Sequence, residues 1–278
     1  MLKIYAIIAA ALTLILDVPF DIFKASYSWW LVPLVYVGCI LLLIVLHHVV
    51  LAISIATVKL DKPPRDTDFF RFLINGFLRV AAPLLGVKIH IKGTEKIPDD
   101  EPFLLVCNHI HDLDPAVIYY AVPNARLSFI AKRELREIYP FVYKALHKLN
   151  GLPIDRENNR EAAKTIISAT KLIKEKTNSV AIFPEGYVSL SGKLLPIRNG
   201  ALKIATKSQA KIVVCTLWGT KQVPKNLFKR RTYVDFEVLE VLDTTDKQTV
   251  ELGEQISKIM LDSLKHKKDY PQDDLNEE

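Results

Sequence analysis

Two apolar segments open the chain. Trp29 to Val58 is a run of thirty residues without Asp, Glu, Lys or Arg, which exceeds the roughly 20 apolar residues that a membrane-spanning helix requires. Ile4–Leu16 is shorter, with thirteen uncharged residues. It could be a short span, a re-entrant segment or the core of a signal peptide, but no small-residue cleavage site follows it. We therefore predict that residues 1–62 are an N-terminal membrane anchor with one or two hydrophobic segments.

The residues that flank the long apolar segment predict its orientation. Trp29 and Trp30 stand where an aromatic belt would meet the membrane surface. Five cations follow the segment, and by the positive-inside rule they place the rest of the chain in the cytoplasm, at the cell membrane: Lys59, Lys62, Arg65, Arg71 and Arg79. His47 and His48 could form a functional pair within the span. Neutral imidazoles packed against a neighbouring helix are the simpler interpretation.

From Pro63 onward, β-rich apolar runs of five to eight residues alternate with helical patterns. This alternation predicts one α/β domain at 63–268, with a mixed, mostly parallel sheet flanked by helices and preceded by the N-terminal membrane helices. The predicted strands are Val87–Lys92, Phe103–Cys107, Leu127–Ala131, Ser179–Phe183, Lys211–Trp218 and Thr232–Leu242. The predicted helices are Asp68–Leu85, which we expect along the membrane surface, Ile138–Leu149, Glu157–Lys176 and Lys247–Lys265.

Composition and charge narrow the functional classes. The chain has 278 residues, of which 50% are hydrophobic and 24% charged, so intrinsic disorder is excluded. The three cysteines show no CxxC spacing, which makes a zinc site or a structural disulfide improbable. Residues 59–268 carry a net charge of +11, whereas the last ten residues hold five acids and no base and predict an acidic tail at 269–278. The basic domain suits an anionic lipid surface or phosphorylated substrates. No helix-turn-helix, zinc-finger or RNP-like pattern supports a nucleic-acid partner.

The candidate chemistry begins where the strand ending at Cys107 runs into His109. Substrate crevices of α/β sheets open at the carboxyl ends of the strands. Asp114 comes five residues later, before Pro115, and a tight turn can bring its carboxylate to the imidazole. The pair then forms a general base without a Ser or Cys nucleophile, which fits a reaction whose nucleophile is a hydroxyl group of the substrate. In the alternative, Asp114 caps a helix that begins at Pro115. A second strand that ends in Phe183-Pro-Glu-Gly186 favours the dyad.

These motifs resemble the membrane glycerolipid acyltransferases, that is, the lysophosphatidic acid and glycerol-3-phosphate acyltransferases with their H-x4-D and FPEG motifs. The resemblance covers about half the chain, from Val87 to Gly219. Four segments occur in the order and approximate spacing of that family: Asn108-His109 with Asp114, Lys132-Arg133-Glu134, Gly151 to Arg156, and Phe183 to Gly186.

The resemblance implies a role for each matching residue. His109 would be the general base and Asp114 the residue that orients it. Glu185 and Gly186 would belong to the acceptor side of the site, and Arg156 would bind the phosphate group of the acceptor. Lys132 and Arg133 would contact phosphate on the acceptor or on the thioester carrier, or else be an exposed basic pair.

The implied reaction moves an acyl group from acyl-CoA or acyl carrier protein to the hydroxyl of 1-acylglycerol-3-phosphate, which gives phosphatidic acid. No metal or organic cofactor is expected, because the thioester is already activated. Two departures from the family pattern are His111, where serine is common, and Tyr187-Val188, where Thr-Arg is usual. Arg198 or Lys193 could replace the missing arginine. Alternatively, the acceptor could be another hydroxyl compound, such as glycerol-3-phosphate or another lysolipid, or the protein could be a catalytically silent lipid-binding membrane protein.

Overall fold

The computed structural model describes residues 2–20 and 30–271. These residues form two compact units. One unit holds the residues up to Val58 together with Thr67–Ala81, and the other holds Lys59–Asp66 and the residues from Ala82 onward.

The N-terminal unit is helical. It contains α1 (Leu2–Phe20), α2 (Leu31–Ala56) and most of α3 (Asp68–Leu84). Within 2–20 and 30–271, α2 is the one helix long and apolar enough to cross a membrane, whereas the apolar part of α1, Lys3–Leu16, is shorter. Trp29, the predicted start of the long segment, lies outside the described residues.

Both histidines of α2 are hydrogen-bonded inside this unit. The Nε2 atom of His47 lies 2.8 Å from the carbonyl oxygen of Leu73 in α3. The Nδ1 atom of His48 lies 2.7 Å from the carbonyl oxygen of Ile44, one turn earlier in α2. The bond of His47 fits an imidazole packed against a neighbouring helix. For His48 that packing comes from its ring, whose centroid lies 5.6 Å from that of Phe77 in α3.

The second unit is built on a seven-stranded sheet in the order β1-β7-β6-β2-β5-β3-β4. Neighbouring strands are parallel except β6 and β7, which are antiparallel. The predicted mixed, mostly parallel sheet is thus confirmed. Its strands are β1 (Val87–Lys92), β2 (Leu104–Cys107), β3 (Leu127–Lys132), β4 (Leu152–Ile154), β5 (Ser179–Ile182), β6 (Ile212–Trp218) and β7 (Thr232–Leu242).

Helices flank this sheet. They are α4 (Asp114–Ala121), α5 (Leu135–Ile138), α6 (Pro140–Lys148), α7 (Asn159–Lys174), α8 (Asn199–Ser208), α9 (Val223–Asn226) and α10 (Thr249–Leu264), with 3₁₀ turns at Thr94–Lys96 and Thr220–Gln222. The start of α7 is fixed by the side chain of Asn158, which accepts hydrogen bonds from the backbone N–H groups of Arg160 and Glu161.

The core lies between the sheet and the helices α7, α8 and α10. All residues of β2 and β5 are buried, as expected for parallel strands that are covered on both faces. One apolar cluster joins the central strands to these helices through Val106, Ile182, Val214, Ala169, Ile173, Leu202, Ala205, Ile256 and Met260. The central strands thus belong to the most thoroughly buried part of the molecule, and this packing fixes the positions of their ends.

The elements that differ from the sequence prediction include two helical regions and one strand. The predicted helix Ile138–Leu149 is interrupted at Tyr139, whose backbone leaves the helical region (φ −133°, ψ 67°) because Pro140 follows it. β4 is only three residues long and contains Pro153, so no strand pattern marked it. α8 was not predicted, although three of its apolar residues are buried.

The order of the strands brings particular connections together. β5 and β6 both pair with β2 and run parallel to it. The segments that follow Cys107, Ile182 and Trp218 therefore meet at one edge of the sheet. We call this edge the carboxyl edge of the sheet. Because β7 is antiparallel to β6, with Trp218 opposite Asp235, β7 begins at the same edge.

Candidate active site

The imidazole of His109 and the carboxylate of Asp114 form a hydrogen-bonded pair at the carboxyl edge. The distance from Nδ1 of His109 to Oδ2 of Asp114 is 2.9 Å. Asp114 is fully buried, and the His109 side chain is 12% exposed. An acceptor at Nδ1 favours the tautomer that carries its proton there, which leaves the lone pair on Nε2.

Asp114 accepts three further hydrogen bonds. Its Oδ2 atom accepts the backbone N–H groups of Ile110 (2.7 Å) and His111 (2.9 Å). Its Oδ1 atom accepts the hydroxyl of Thr220, 2.6 Å away, from the segment that follows β6. No side chain caps α4, because this carboxylate bonds to the residues before the helix. In the structure, Asp114 thus contacts the imidazole and does not cap α4.

Thr220 is the contact of this pair that sequence reasoning missed. It is fully buried and follows Gly219, whose φ of +95° turns the chain directly after β6. Thr220 is a polar residue just beyond a buried strand, as are His109 and Glu185. The same criterion, applied to the end of β6, identifies Thr220.

Glu185 is buried and bonds to the backbone of two loops. Its Oε1 atom accepts the N–H of His109 at 2.7 Å, and its Oε2 atom accepts the N–H of Leu195 at 2.8 Å. Burial, reinforced by the nearby charge of Asp114, raises the pKa of Glu185 to about 7, although the two N–H groups act in the opposite direction. Glu185 thus connects the backbone of His109 to the loop that contains Leu195.

The pH dependence of stability should report this burial. The folded chain binds the Glu185 proton more tightly than the unfolded chain, whose carboxyl has an ordinary pKa of 4.5. The resulting stabilisation is fully present below pH 4.5 and is lost as the pH rises through 7, by at most about 3 kcal/mol. In Glu185→Gln this part of the pH dependence should disappear. Unfolding in detergent, followed between pH 4 and 8, measures it. An unchanged slope would contradict the buried carboxyl, and the exposed Glu175→Gln is the matched control.

Aromatic packing and a loop fix the other sides of His109. The ring of Phe183 stacks on the imidazole, with centroids 4.0 Å apart and planes 11° apart. The carbonyl oxygen of His109 accepts the N–H of Ser189 at 2.7 Å. Asn108 exchanges two hydrogen bonds with the backbone of Leu217 in β6. The imidazole is therefore held in one orientation before any substrate binds.

A cavity of about 400 Å³ has Phe183, whose ring stacks on His109, in its wall. His109 and Asp114 are not themselves among the residues that line it. Apolar side chains form one part of its wall: Ile130, Ile154, Ile166, Ile182 and Phe183. Cations form another part: Arg156, Arg198, Lys203 and Lys207. None of the residues that line the cavity is Asp or Glu. The cavity can therefore accommodate a ligand with an apolar portion and an anionic group.

The guanidinium groups of Arg156 and Arg198 both lie over the ring of Tyr187. Their guanidinium carbons lie 5.6 Å and 4.9 Å from the ring centroid. Burial, together with the charge of Arg198, lowers the pKa of Arg156. Gly186 has a φ of +82°, and a Cβ there would lie 2.8 Å from Nε of Arg198. Because residue 186 is a glycine, the Arg198 side chain can approach the Pro-Glu-Gly turn. Close to this turn in the chain is Val188, which occupies the position of the arginine in the family motif.

Comparisons with known proteins found a matching family model and several similar sequences. A family model described as Acyltransferase matches residues 88–218. The chain is 30% identical over 196 residues to a probable 1-acyl-sn-glycerol-3-phosphate acyltransferase of Mycoplasma pneumoniae, which covers 68% of this chain and 70% of the relative. The chain belongs to the glycerolipid acyltransferase family.

A second relative agrees with this membership, and a solved structure shares the fold. The 1-acyl-sn-glycerol-3-phosphate acyltransferase of Borreliella burgdorferi is 30% identical over 148 residues, which are 53% of this chain and 58% of that enzyme. The crystal structure of the 1-acyl-sn-glycerophosphate (LPA) acyltransferase PlsC from Thermotoga maritima shares the fold, with a TM-score of 0.61, 23% identity, and coverage of 97% of this chain and 100% of the other.

Lys132 and Arg133 of this acyltransferase-family chain lie apart from the cavity cations. Neither residue lines the cavity, and both are exposed. Arg133 lies 3.6 Å from a carboxylate oxygen of Asp155 and 3.5 Å from one of Glu161. Both residues are thus an exposed basic pair in this structure, and their contact with phosphate stays a prediction.

His111, a departure from the family pattern, has a local contact. Its Nδ1 atom accepts the N–H of Leu113 at 3.2 Å. The carboxylate of Asp114 meets the backbone of His111 and not its ring. The x4 spacing therefore selects His109 as the paired imidazole.

Among the residues that the structure describes, no group of three or more His, Cys, Asp or Glu side chains could hold a metal ion.

Proposed function

We propose that the protein is an O-acyltransferase that moves an acyl group from acyl-CoA or acyl carrier protein to the hydroxyl of a lysophospholipid. The observation that carries this proposal is the oriented His109–Asp114 pair, together with a cavity that shares Phe183 with it and whose wall contains both apolar side chains and cations. The preferred acceptor is 1-acylglycerol-3-phosphate, and the product is then phosphatidic acid.

The reaction follows from the orientation of the imidazole. Nε2 of His109 takes the proton of the acceptor hydroxyl as its oxygen attacks the carbonyl carbon of the thioester. The buried carboxylate of Asp114 stabilises the imidazolium that forms. When the tetrahedral intermediate collapses, the C–S bond breaks, the new ester forms, and the imidazolium returns the proton to the thiolate.

Three consecutive amides of the loop after β2, those of His109, Ile110 and His111, already have acceptors and do not bind the oxyanion of the intermediate in this proposal. Glu185 accepts the N–H of His109, and Asp114 accepts those of Ile110 and His111. Donors for the oxyanion therefore come from outside this run of the backbone.

The acceptor occupies the cavity in this proposal. Its phosphate group pairs with Arg156 and Arg198, for which a planar guanidinium is well suited. Its acyl chain packs against the isoleucine side chains of the wall. Arg198 here takes the role of the arginine that the motif lacks at Val188, and Tyr187 holds both guanidinium groups.

The lysolipid acceptor places the reaction at a membrane. α2 is long enough to span one, and it presents exposed apolar side chains along its length, such as Leu34, Leu42 and Val45. We propose the cell membrane as the location, with residues 1–62 as the anchor, 63–268 as the acyltransferase domain on the cytoplasmic side, and 269–278 as a tail. Residues 272–278 of this tail lie outside the described residues.

The anchor makes a testable prediction. Deletion of residues 1–58 should weaken membrane association without abolishing it, because residues 59–268 keep a net charge of +11. The residual binding should decrease with added salt. Sedimentation with phosphatidylglycerol vesicles at low and high salt measures it, with phosphatidylcholine vesicles as the control. A truncated protein that stays wholly in the supernatant at low salt would contradict the prediction.

A direct assay tests the proposed activity. The full-length protein, purified in detergent, is incubated with labelled acyl-CoA or acyl carrier protein and a panel of acceptors. We expect labelled phosphatidic acid from 1-acylglycerol-3-phosphate. Tyr187-Val188 in place of Thr-Arg makes another hydroxyl acceptor the second candidate, which would appear as faster transfer to glycerol-3-phosphate or to a different lysolipid. No transfer to any acceptor would favour a catalytically silent lipid-binding protein.

A further inference from the structure

The connection between β6 and β7 carries a basic loop with one exposed aromatic ring. This connection holds the 3₁₀ turn at Thr220–Gln222, then α9, and then residues 227–231. We call Lys225–Arg231 the basic loop. The ring of Phe228 within it is 85% exposed.

The shape of the basic loop is fixed from its base. The buried side chain of Asn226 donates to the hydroxyl of Thr232 at 3.0 Å and accepts from Nε of Arg230 at 2.7 Å. The carbonyl oxygen of Asn226 also accepts the N–H groups of Lys229 and Arg230. These bonds close the loop and hold Phe228 at a φ of +58°.

Two features of Phe228 are energetically unfavourable in water. A positive φ is strained for a bulky side chain, and an exposed phenyl ring gains nothing from burial. A partner that takes up the ring would offset the cost of its exposure. The loop is therefore built to display the ring rather than to pack it.

The charge around Phe228 has one sign. Lys225, Lys229, Arg230 and Arg231 are all exposed. They end a run of 49 residues, from Gly186 to Val234, that holds ten Lys and Arg and no Asp or Glu. This charge favours an anionic partner over a neutral or cationic one.

The topology places the basic loop at the carboxyl edge. β7 begins opposite the end of β6, with Asp235 paired to Trp218. The same connection contains Thr220, which donates to Asp114. The loop and the His109–Asp114 pair thus lie at the same edge of the sheet.

We propose that the basic loop docks on an anionic lipid surface, with Phe228 inserted among the acyl chains and its four cations at the phosphate groups. Apolar and anionic layers lie next to each other at such a surface, and a single ring between cations fits both. An acidic protein would have to offer a matching pocket for the ring as well as charge. This proposal does not depend on acyl transfer, because it concerns only binding.

A site-specific label tests the contact. The full-length Phe228→Cys protein is labelled with an environment-sensitive fluorophore, since the three native cysteines are buried. It is reconstituted in vesicles of brominated phosphatidylcholine, alone or mixed with an equal part of phosphatidylglycerol. We expect emission at shorter wavelength and quenching by bromine in the mixed vesicles, and reversal of both by high salt.

Two matched controls make the result specific. Asp246→Cys places the label in another exposed loop with a positive φ of 57°, but beyond the end of β7, at the opposite edge; it should not be quenched. In the second control, Lys225, Lys229 and Arg231 are changed to Gln in the labelled protein. Arg230 is kept because its Nε bonds to Asn226. This variant should lose the effect of phosphatidylglycerol.

Several outcomes would overturn the proposal. Equal quenching at positions 228 and 246 would show general proximity to the vesicle rather than docking by the loop. Equal quenching in phosphatidylcholine alone would show that the cations play no part. A shift that appears only when acyl carrier protein is added would make the loop a protein-docking surface instead.

Discussion

Replacement of His109 by Ala should lower turnover by about 10²- to 10⁴-fold, the usual contribution of a general base. The protein should still fold, because the imidazole has one side-chain hydrogen bond, to Asp114. Since the two residues act as one unit, adding Asp114→Ala to His109→Ala should lower turnover little further. Transfer of labelled acyl groups by the purified variants, compared under single-turnover conditions, measures both effects.

The variants of Asp114 need a check on folding. Removal of its carboxylate leaves the N–H groups of Ile110 and His111 and the hydroxyl of Thr220 without their acceptor in a buried place. Asp114→Asn keeps an acceptor and is the milder variant, and unfolding temperatures should accompany every rate. His111→Ala is the matched control and should keep measurable activity. A folded His109→Ala protein with near-normal turnover would exclude the dyad as the general base.

Replacement of Arg156 by Ala should lower kcat/KM for the phosphorylated acceptor by an amount on the order of 2–5 kcal/mol, if the charge pair with the phosphate is desolvated. Lys at this position keeps the charge but loses the two-pronged geometry, so its effect should be smaller. The affinity for the acyl donor should not change. Steady-state kinetics with varied acceptor and varied donor separate these effects.

Arg198 makes the test of Arg156 more specific. Because both guanidinium groups lie over the ring of Tyr187, Arg198→Ala should affect the same kinetic parameter, and the two substitutions together should not be additive. Tyr187→Phe keeps the ring and loses only the hydroxyl that donates to Glu157 at 3.3 Å, so it is the matched control. A folded Arg156→Ala enzyme with unchanged kcat/KM would place phosphate recognition elsewhere. Equal wild-type rates with a neutral monoacylglycerol would point to a different class of acceptor.

Much of the fold could be predicted because burial leaves a direct trace in the sequence. β2, β5 and β6 are short apolar runs whose residues are covered on both faces, and their polar successors mark the carboxyl edge. β4 left no such trace, because three residues with a central proline carry too little pattern. The break between α5 and α6 could have been inferred from Pro140 alone.

The candidate site was less accessible to sequence reasoning than the sheet. The spacing of His109 and Asp114 is local, so a turn could be inferred between them. The contacts of Glu185 could not, because its two partners are backbone groups and backbone groups have no signature in the sequence. The pairing of Arg198 with Tyr187 depends on how the segment after Gly186 folds back, which no local pattern encodes.

The contacts of the dyad also bear on the order of events during folding. His109 and Asp114 are close in the chain, but the groups that hold them come from much further along: Glu185 bonds to the backbone of His109 across 76 residues, and Thr220 bonds to Asp114 across 106 residues. Contacts of such long range form only after the intervening loops have closed, which slows their formation. During synthesis, a nascent chain that has not yet emerged past Thr220 lacks the last of these supports. The imidazole therefore becomes a competent base only when the central strands have assembled, and its activity reports completed folding of the sheet.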